Sequence, residues 1–126
     1  MTVADVHTTM RDNVMVADVT GEIDLSNAEP VGSMLMADTP AGTRGMVLDL
    51  SRVSYLDSAG IAVIIGIRET LLGREQRLVL VIPETSPVSA TLHLAGLWER
   101  VQLSETVEEA LTALDKAEVP GRGPSD

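Results

Sequence analysis

The stretch MVLDLSRVSYLDSAGIAVIIGIRETLLG, residues 46–73, decides how this chain folds. It opens on the apolar run Met46-Val47-Leu48 and crosses a polar stretch to Leu56-Asp57-Ser58-Ala59-Gly60. An apolar helical segment over 61–72 follows. The pattern predicts a buried strand, a connecting loop and a helix whose first turn carries one hydroxyl, Ser58. Asp and Ser suit that position because their oxygens accept the N–H groups that a helix start leaves unpaired. Those N–H groups and the helix dipole also favour an anion such as phosphate. A serine there can hold structure, carry chemistry or receive a phosphate. Taken alone, Asp-Ser-Ala-Gly before a helix reads first as an N-cap.

The rest of the chain narrows the choice. With 126 residues, 44% of them hydrophobic, it is long enough for one globular domain with its own core. There is no Phe, one Tyr and one Trp, so aliphatic side chains must fill that core. The absence of cysteine excludes disulfides and thiolate metal sites and fits a reducing compartment. No basic-then-apolar leader opens the sequence, and the longest apolar run, 61–67, is too short to cross a bilayer. A cytoplasmic protein with no membrane partner is the expectation. A net charge of −10 repels phosphodiester backbones, so direct nucleic-acid binding is not expected.

Working outward, residues 3–9 predict an edge strand and 14–20 (VMVADVT) a second, joined as a hairpin by a turn near Asp12-Asn13. Gly21-Glu22-Ile23-Asp24 should break that strand. Ser26-Asn27-Ala28-Glu29 has capping-box spacing and predicts a helix to about Asp38, ended by Pro40-Ala41-Gly42. Residues 46–50 and 77–82 read as central strands. A helix should start near Pro87 with Ser86 as its cap and stop before Gly96, and 101–103 should form a short last strand. Thr106-Val107-Glu108-Glu109 is a second capping box, opening a helix through Leu114. Alternating strands and helices give an α/β fold: a mixed central sheet of four to five strands packed against about four helices. Residues 1–117 make a single domain, and 118–126 a loose tail.

On a helical projection of 61–72, Ile61, Ile64, Ile65, Leu71 and Leu72 share one stripe, predicted to face the sheet. Arg68 falls inside that stripe, so its stem should be covered and its guanidinium should reach water. Ala62, Gly66, Glu69 and Gly73 fall opposite. Val63 and Ile67 lie on a flank that a neighbouring helix covers or that stays open as a docking face beside Ser58.

The run Val53-Ser54-Tyr55-Leu56-Asp57-Ser58-Ala59-Gly60-Ile61 resembles the signature of STAS-domain anti-sigma factor antagonists of bacteria. Gly21-Glu22-Ile23-Asp24-Leu25 resembles the family's early segment, and Thr106-Val107-Glu108-Glu109-Ala110-Leu111 its closing helix, so the likeness spans roughly residues 14–114. The resemblance implies the STAS fold and a partner-switching function without enzymatic activity or a cofactor. In such a switch the unphosphorylated antagonist binds an anti-sigma factor with a serine kinase fold and frees the sigma factor. The kinase phosphorylates the serine after the motif's aspartate, and a PP2C-type phosphatase removes the group. Carried onto this sequence, Ser58 is the phosphoacceptor, with Ala59 where relatives often have a second hydroxyl. Asp24, Asp57, Ser58, Ala59, Gly60, Ala62 and Val63 make the partner surface, and Gly60 is the glycine that lets a partner approach the helix start. Asp24 equally suits an anchor for the turn after its strand.

A serine hydrolase elbow would need glycine two residues before the nucleophile, where Leu56 stands. Neither His7 nor His93, a helix-surface residue on its pattern, is placed by the sequence as a base for Ser58. No phosphate-binding glycine loop or metal-ligand cluster is present in the sequence. Two non-enzymatic rivals remain: a STAS subunit of a transporter or lipid-trafficking complex, and a constitutive antagonist that is never phosphorylated.

Overall fold

The computed structural model describes residues 3–116, so the expected tail at 118–126 lies outside the described residues. Five strands form one sheet in sequential order: β1 (Ala4–Arg11), β2 (Val14–Ile23), β3 (Gly45–Leu56), β4 (Arg77–Val81) and β5 (Gln102–Ser104). β1 runs antiparallel to β2, and the remaining neighbours are parallel, which makes the sheet mixed as expected. The helices are α1 (Ala28–Ala37), α2 (Ser58–Gly73), α3 (Ser89–Leu94) and α4 (Val107–Lys116), with a short 3-10 turn at Leu97–Glu99.

The hairpin closes through Asp12 and Asn13, both at positive φ (53° and 64°). That is the two-residue turn whose twist matches paired strands, and Asp and Asn tolerate its left-handed backbone. From β2 onward each crossover steps one strand in the same direction. Right-handed connections then place α1, α2 and α3 on one face of the sheet. Met15, Ala17, Val19, Met46, Leu48, Leu50, Leu78 and Leu80 supply the strand side of that core. Val14, Val16, Val47, Val79 and Val81 point the other way, onto Ala110, Leu111 and Leu114 of α4. The central strands are buried on both faces, which is why they read as unbroken apolar runs.

Several elements depart from the sequence expectation. β2 does not break at Gly21 but runs on to Ile23, and β3 continues through the polar stretch to Leu56. The register between them explains both. Asp18 pairs with Asp49 but Thr20 with Arg52, and Gly21 pairs with Val53 but Glu22 with Tyr55, so β3 carries an extra residue at each of two bulges. Its buried residues therefore fall at Leu50, Val53 and Leu56, a spacing of three that does not look like a strand. Only Asp57 then separates strand from helix.

Ser26 does not cap α1: the N-cap residue is Asn27, which makes no capping bond because its side chain is used in the preceding turn. α3 starts at Ser89, not near Pro87, and Ser86 instead accepts the Val88 N–H across a turn at 3.4 Å. The last strand, β5, is displaced by one residue from the expected 101–103. The second capping box forms in its hydroxyl half: Thr106 Oγ1 accepts the Glu109 N–H at 3.1 Å, while the Glu109 carboxylate accepts the N–H of Glu105, one residue before the cap, at 3.3 Å.

Candidate functional site at the head of α2

Asp57 sits at the N-cap of α2 in extended backbone (φ −106°, ψ −171°). Its Oδ1 accepts the N–H groups of Ala59 at 2.9 Å and Gly60 at 3.2 Å. Its Oδ2 accepts the Leu25 N–H at 3.2 Å, and its own N–H donates to the Ile23 carbonyl at 3.3 Å. One carboxylate thus closes the helix start and pins it to the loop after β2. Ser58 follows as the first helical residue, and it is exposed.

That loop is ordered by its own polar side chains. Asp24 Oδ1 accepts both the N–H (2.8 Å) and the hydroxyl (2.6 Å) of Ser26. Asn27 Oδ1 accepts the Asp24 N–H at 2.9 Å, and its amide donates to the Glu22 carbonyl at 2.8 Å. Asp and Asn form such local turns readily because their oxygens reach backbone N–H groups nearby. Asp24 is half-buried in this role, so it acts as an anchor of the turn. The tight loop leaves Leu25 with no cover: it is 84% exposed, and Tyr55, near the end of β3, is 50% exposed.

The structure brings Asp24, Asp57, Ser58, Ala59 and Ala62 together around the head of α2. Ser58 and Ala62 are exposed, and Asp57, Ala59 and Val63 are half-buried. Gly60 is a correction: it is buried and faces the chain's own core, not a partner. A Cβ there would lie 2.3 Å from Leu56 Cδ1 and 3.1 Å from Ile23 Cγ2, so glycine is needed for the helix to seat on the strand ends.

The helix is also turned from its expected setting. Its buried stripe is Gly60, Ile64, Ile67 and Leu71, while Ile61, Ile65 and Leu72 are half-buried. Arg68 is likewise half-buried. The cause is α1, which packs on the Val63–Ile67 flank: a Cβ on Gly32 would come within 2.5 Å of Val63 Cγ1. Of the two readings of that flank, the covering helix is the one observed. Ala62 and Gly66 remain open to solvent. The exposure of Leu25 and Tyr55 was not expected from the sequence, where the only signal is a large side chain next to polar residues.

The two histidines serve elsewhere. His7 lies opposite Asp18 in the β1–β2 register, and His93 is exposed and meets Trp98 edge-on at 5.3 Å. Among the described residues no group of three or more His, Cys, Asp or Glu side chains is arranged to hold a metal ion, and no helix is long and apolar enough to cross a membrane. What the head of α2 offers is an exposed hydroxyl next to Asp57, whose carboxylate also holds the loop after β2, with the small side chains Ala59 and Ala62 on the same helix start.

A mixed sheet with three helices on one face, and a serine presented at the second, defines a class. The sequence matches the STAS domain over residues 5–110, and the chain belongs to that family. Its relatives include the anti-sigma-F factor antagonist RsfB of Mycobacterium tuberculosis, 32% identical over 118 residues, covering 90% of this chain and 88% of the relative. A candidate anti-sigma factor antagonist of Bordetella bronchiseptica, BtrV, is 30% identical over 107 residues, covering 84% of this chain and 90% of that one. Among solved structures, an anti-sigma factor antagonist from Mycobacterium paratuberculosis superposes with a TM-score of 0.81 at 29% identity, covering 90% of this chain and 96% of its own.

Proposed function

We propose that the protein is an anti-sigma factor antagonist of the partner-switching kind, working in the cytoplasm. In its unphosphorylated state it binds an anti-sigma factor with a serine kinase fold, which frees the sigma factor. That kinase phosphorylates Ser58 with Mg-ATP, and a PP2C-type phosphatase reverses the step. The docking surface is Ser58, Ala59, Ala62 and the outer part of Val63, extended by Leu25 and Tyr55, with Asp24 and Asp57 holding its shape. Phosphoryl transfer moves the γ-phosphoryl group of ATP onto Ser58 Oγ, with ADP leaving and the hydroxyl proton passing to the kinase.

The observation that carries this reading is the exposure of Ser58 next to a carboxylate whose two oxygens already bond three backbone N–H groups. A phosphate adds about −1.5 to −2 charges and three acceptor oxygens. The Ala59 and Gly60 donors that would otherwise receive it are taken by Asp57. The new charge is thus turned outward, onto the face where a partner would lie, and the domain need not unfold to present or lose it.

The test is to incubate the chain with its cognate anti-sigma kinase and Mg-ATP, map the phosphate by mass spectrometry, and titrate variants by calorimetry. Phosphate on Ser58, wild-type affinity for Ser58→Ala and a loss of about a hundredfold for Ser58→Asp, close to 3 kcal/mol, are expected. Equal affinity of Ser58→Asp would defeat the electrostatic mechanism. Tight binding with no phosphate would indicate a constitutive antagonist, and no binding at all would favour a transporter or lipid-trafficking subunit.

A further inference from the structure

The two edges of the sheet are treated differently. β5 is three residues long and offers little to pair with. β1 runs for eight residues without a proline or a bulge, in unbroken register with β2, and among the described residues no strand lies on its outer side. Long, regular edges are templates for another strand, and soluble proteins usually blunt them. The side chains of β1 alternate between the two faces: Ala4 and Val6 pack toward the helix side, so Asp5, His7, Thr9 and Arg11 lie on the other.

We infer that β1 is a self-complementary edge that pairs antiparallel with β1 of a second copy, about a two-fold axis through Thr8. A two-fold perpendicular to the sheet keeps its faces matched, so only residues of the same parity can oppose each other. Centred on Thr8, Asp5 of each copy meets Arg11 of the other, Val6 meets Met10, and His7 meets Thr9. Moving the axis to His7 sets Val3 against Arg11 and His7 against His7. Moving it to Thr9 sets Arg11 against His7. Only the Thr8 register gives two opposite-charge pairs and two apolar pairs, the kinds of cross-strand contact that stabilise sheets.

Arg11 is available for this. Its present contact with Glu108 is 3.7 Å long, with the two side chains 47% and 74% exposed, and such surface pairs contribute little. Met10, 49% exposed, would gain cover from Val6 of the second copy. The net charge of −10 on each copy opposes association, but at ~0.15 M salt repulsion is damped beyond about 8 Å, whereas the facing pairs are in contact.

Sedimentation velocity on the full chain across a wide concentration range should show a monomer–dimer equilibrium. Asp5→Arg and Arg11→Asp should each weaken the dimer by about tenfold or more, because like charges then face each other. The double exchange, Asp5→Arg with Arg11→Asp, should restore it. The chain has no cysteine, so Thr8→Cys should give a disulfide-linked dimer on oxidation, and adding Asp5→Arg should suppress that product. Ser58→Asp should dimerise as wild type does, which separates this edge from the proposed switch. A monomer at every concentration, or a dimer indifferent to Asp5→Arg, would overturn the inference.

Discussion

Asp57 accepts three backbone N–H groups with its two oxygens, from Leu25, Ala59 and Gly60. Removing an N-cap acceptor costs about 0.5–2 kcal/mol, and hydrogen bonds to a charged group exceed neutral ones. Asp57→Ala should therefore destabilise the domain by about 2 kcal/mol, read as a lower urea midpoint with an unchanged m-value. Asp57→Asn keeps an oxygen for Ala59 and Gly60 and should lose less than half of that. The Asp-Ser pair was legible in the sequence because cap chemistry is local. The second function of Asp57, bonding to the Leu25 N–H, was not, since it joins residues that only the fold brings together. The inward turn of Gly60 was hidden for the same reason: glycine's lack of a side chain says that something comes close, but not from which side.

At the scale of the helix, Gly60 and Gly66 make opposite cases on one element. Alanine in place of glycine favours a helix by about 1 kcal/mol. At Gly66 nothing lies within 4 Å of an added Cβ, so Gly66→Ala should stabilise by about that amount. At Gly60 the methyl would meet buried Leu56, and overpacking of about 1–3 kcal/mol outweighs the propensity gain. Gly60→Ala should lower stability by about 1 kcal/mol net, and the two variants should shift thermal midpoints in opposite directions. Thr106→Ala, removing the hydroxyl that caps α4, should cost about 1 kcal/mol in the same assay. The order and kind of the elements could be read from the sequence, because central strands and amphipathic helices have distinct periods. The full length of β3 could not, since two bulges turned an alternating pattern into one of threes. Nor could the setting of α2 about its axis, which α1 fixes through Gly32.

At the scale of the whole molecule, the proposed switch adds charge to a protein already at −10, without requiring it to change shape. Ser58→Asp should therefore leave the denaturation midpoint nearly unchanged, with amide chemical-shift changes confined to the loop after β2 and the head of α2. Widespread shifts would mean that the domain itself responds. The central place of β3 and β4 was legible because both read as near-continuous apolar runs, whereas which residue meets which face was not. The edge position of β1 was legible too, from its short mixed pattern, but not its full reach to Arg11 in unbroken register with β2, which only the pairing sets.

With no phenylalanine and its core filled by aliphatic side chains, the molecule keeps its two large aromatic residues at the surface. Trp98 is 38% exposed against His93, and Tyr55 is 50% exposed near the end of the strand that leads to Ser58. Optical spectra of this protein therefore report on its exterior. Indole emission follows the α3 region, while the ring-proton NMR signals of the single tyrosine offer an unlabelled sensor of anything that settles over the head of α2.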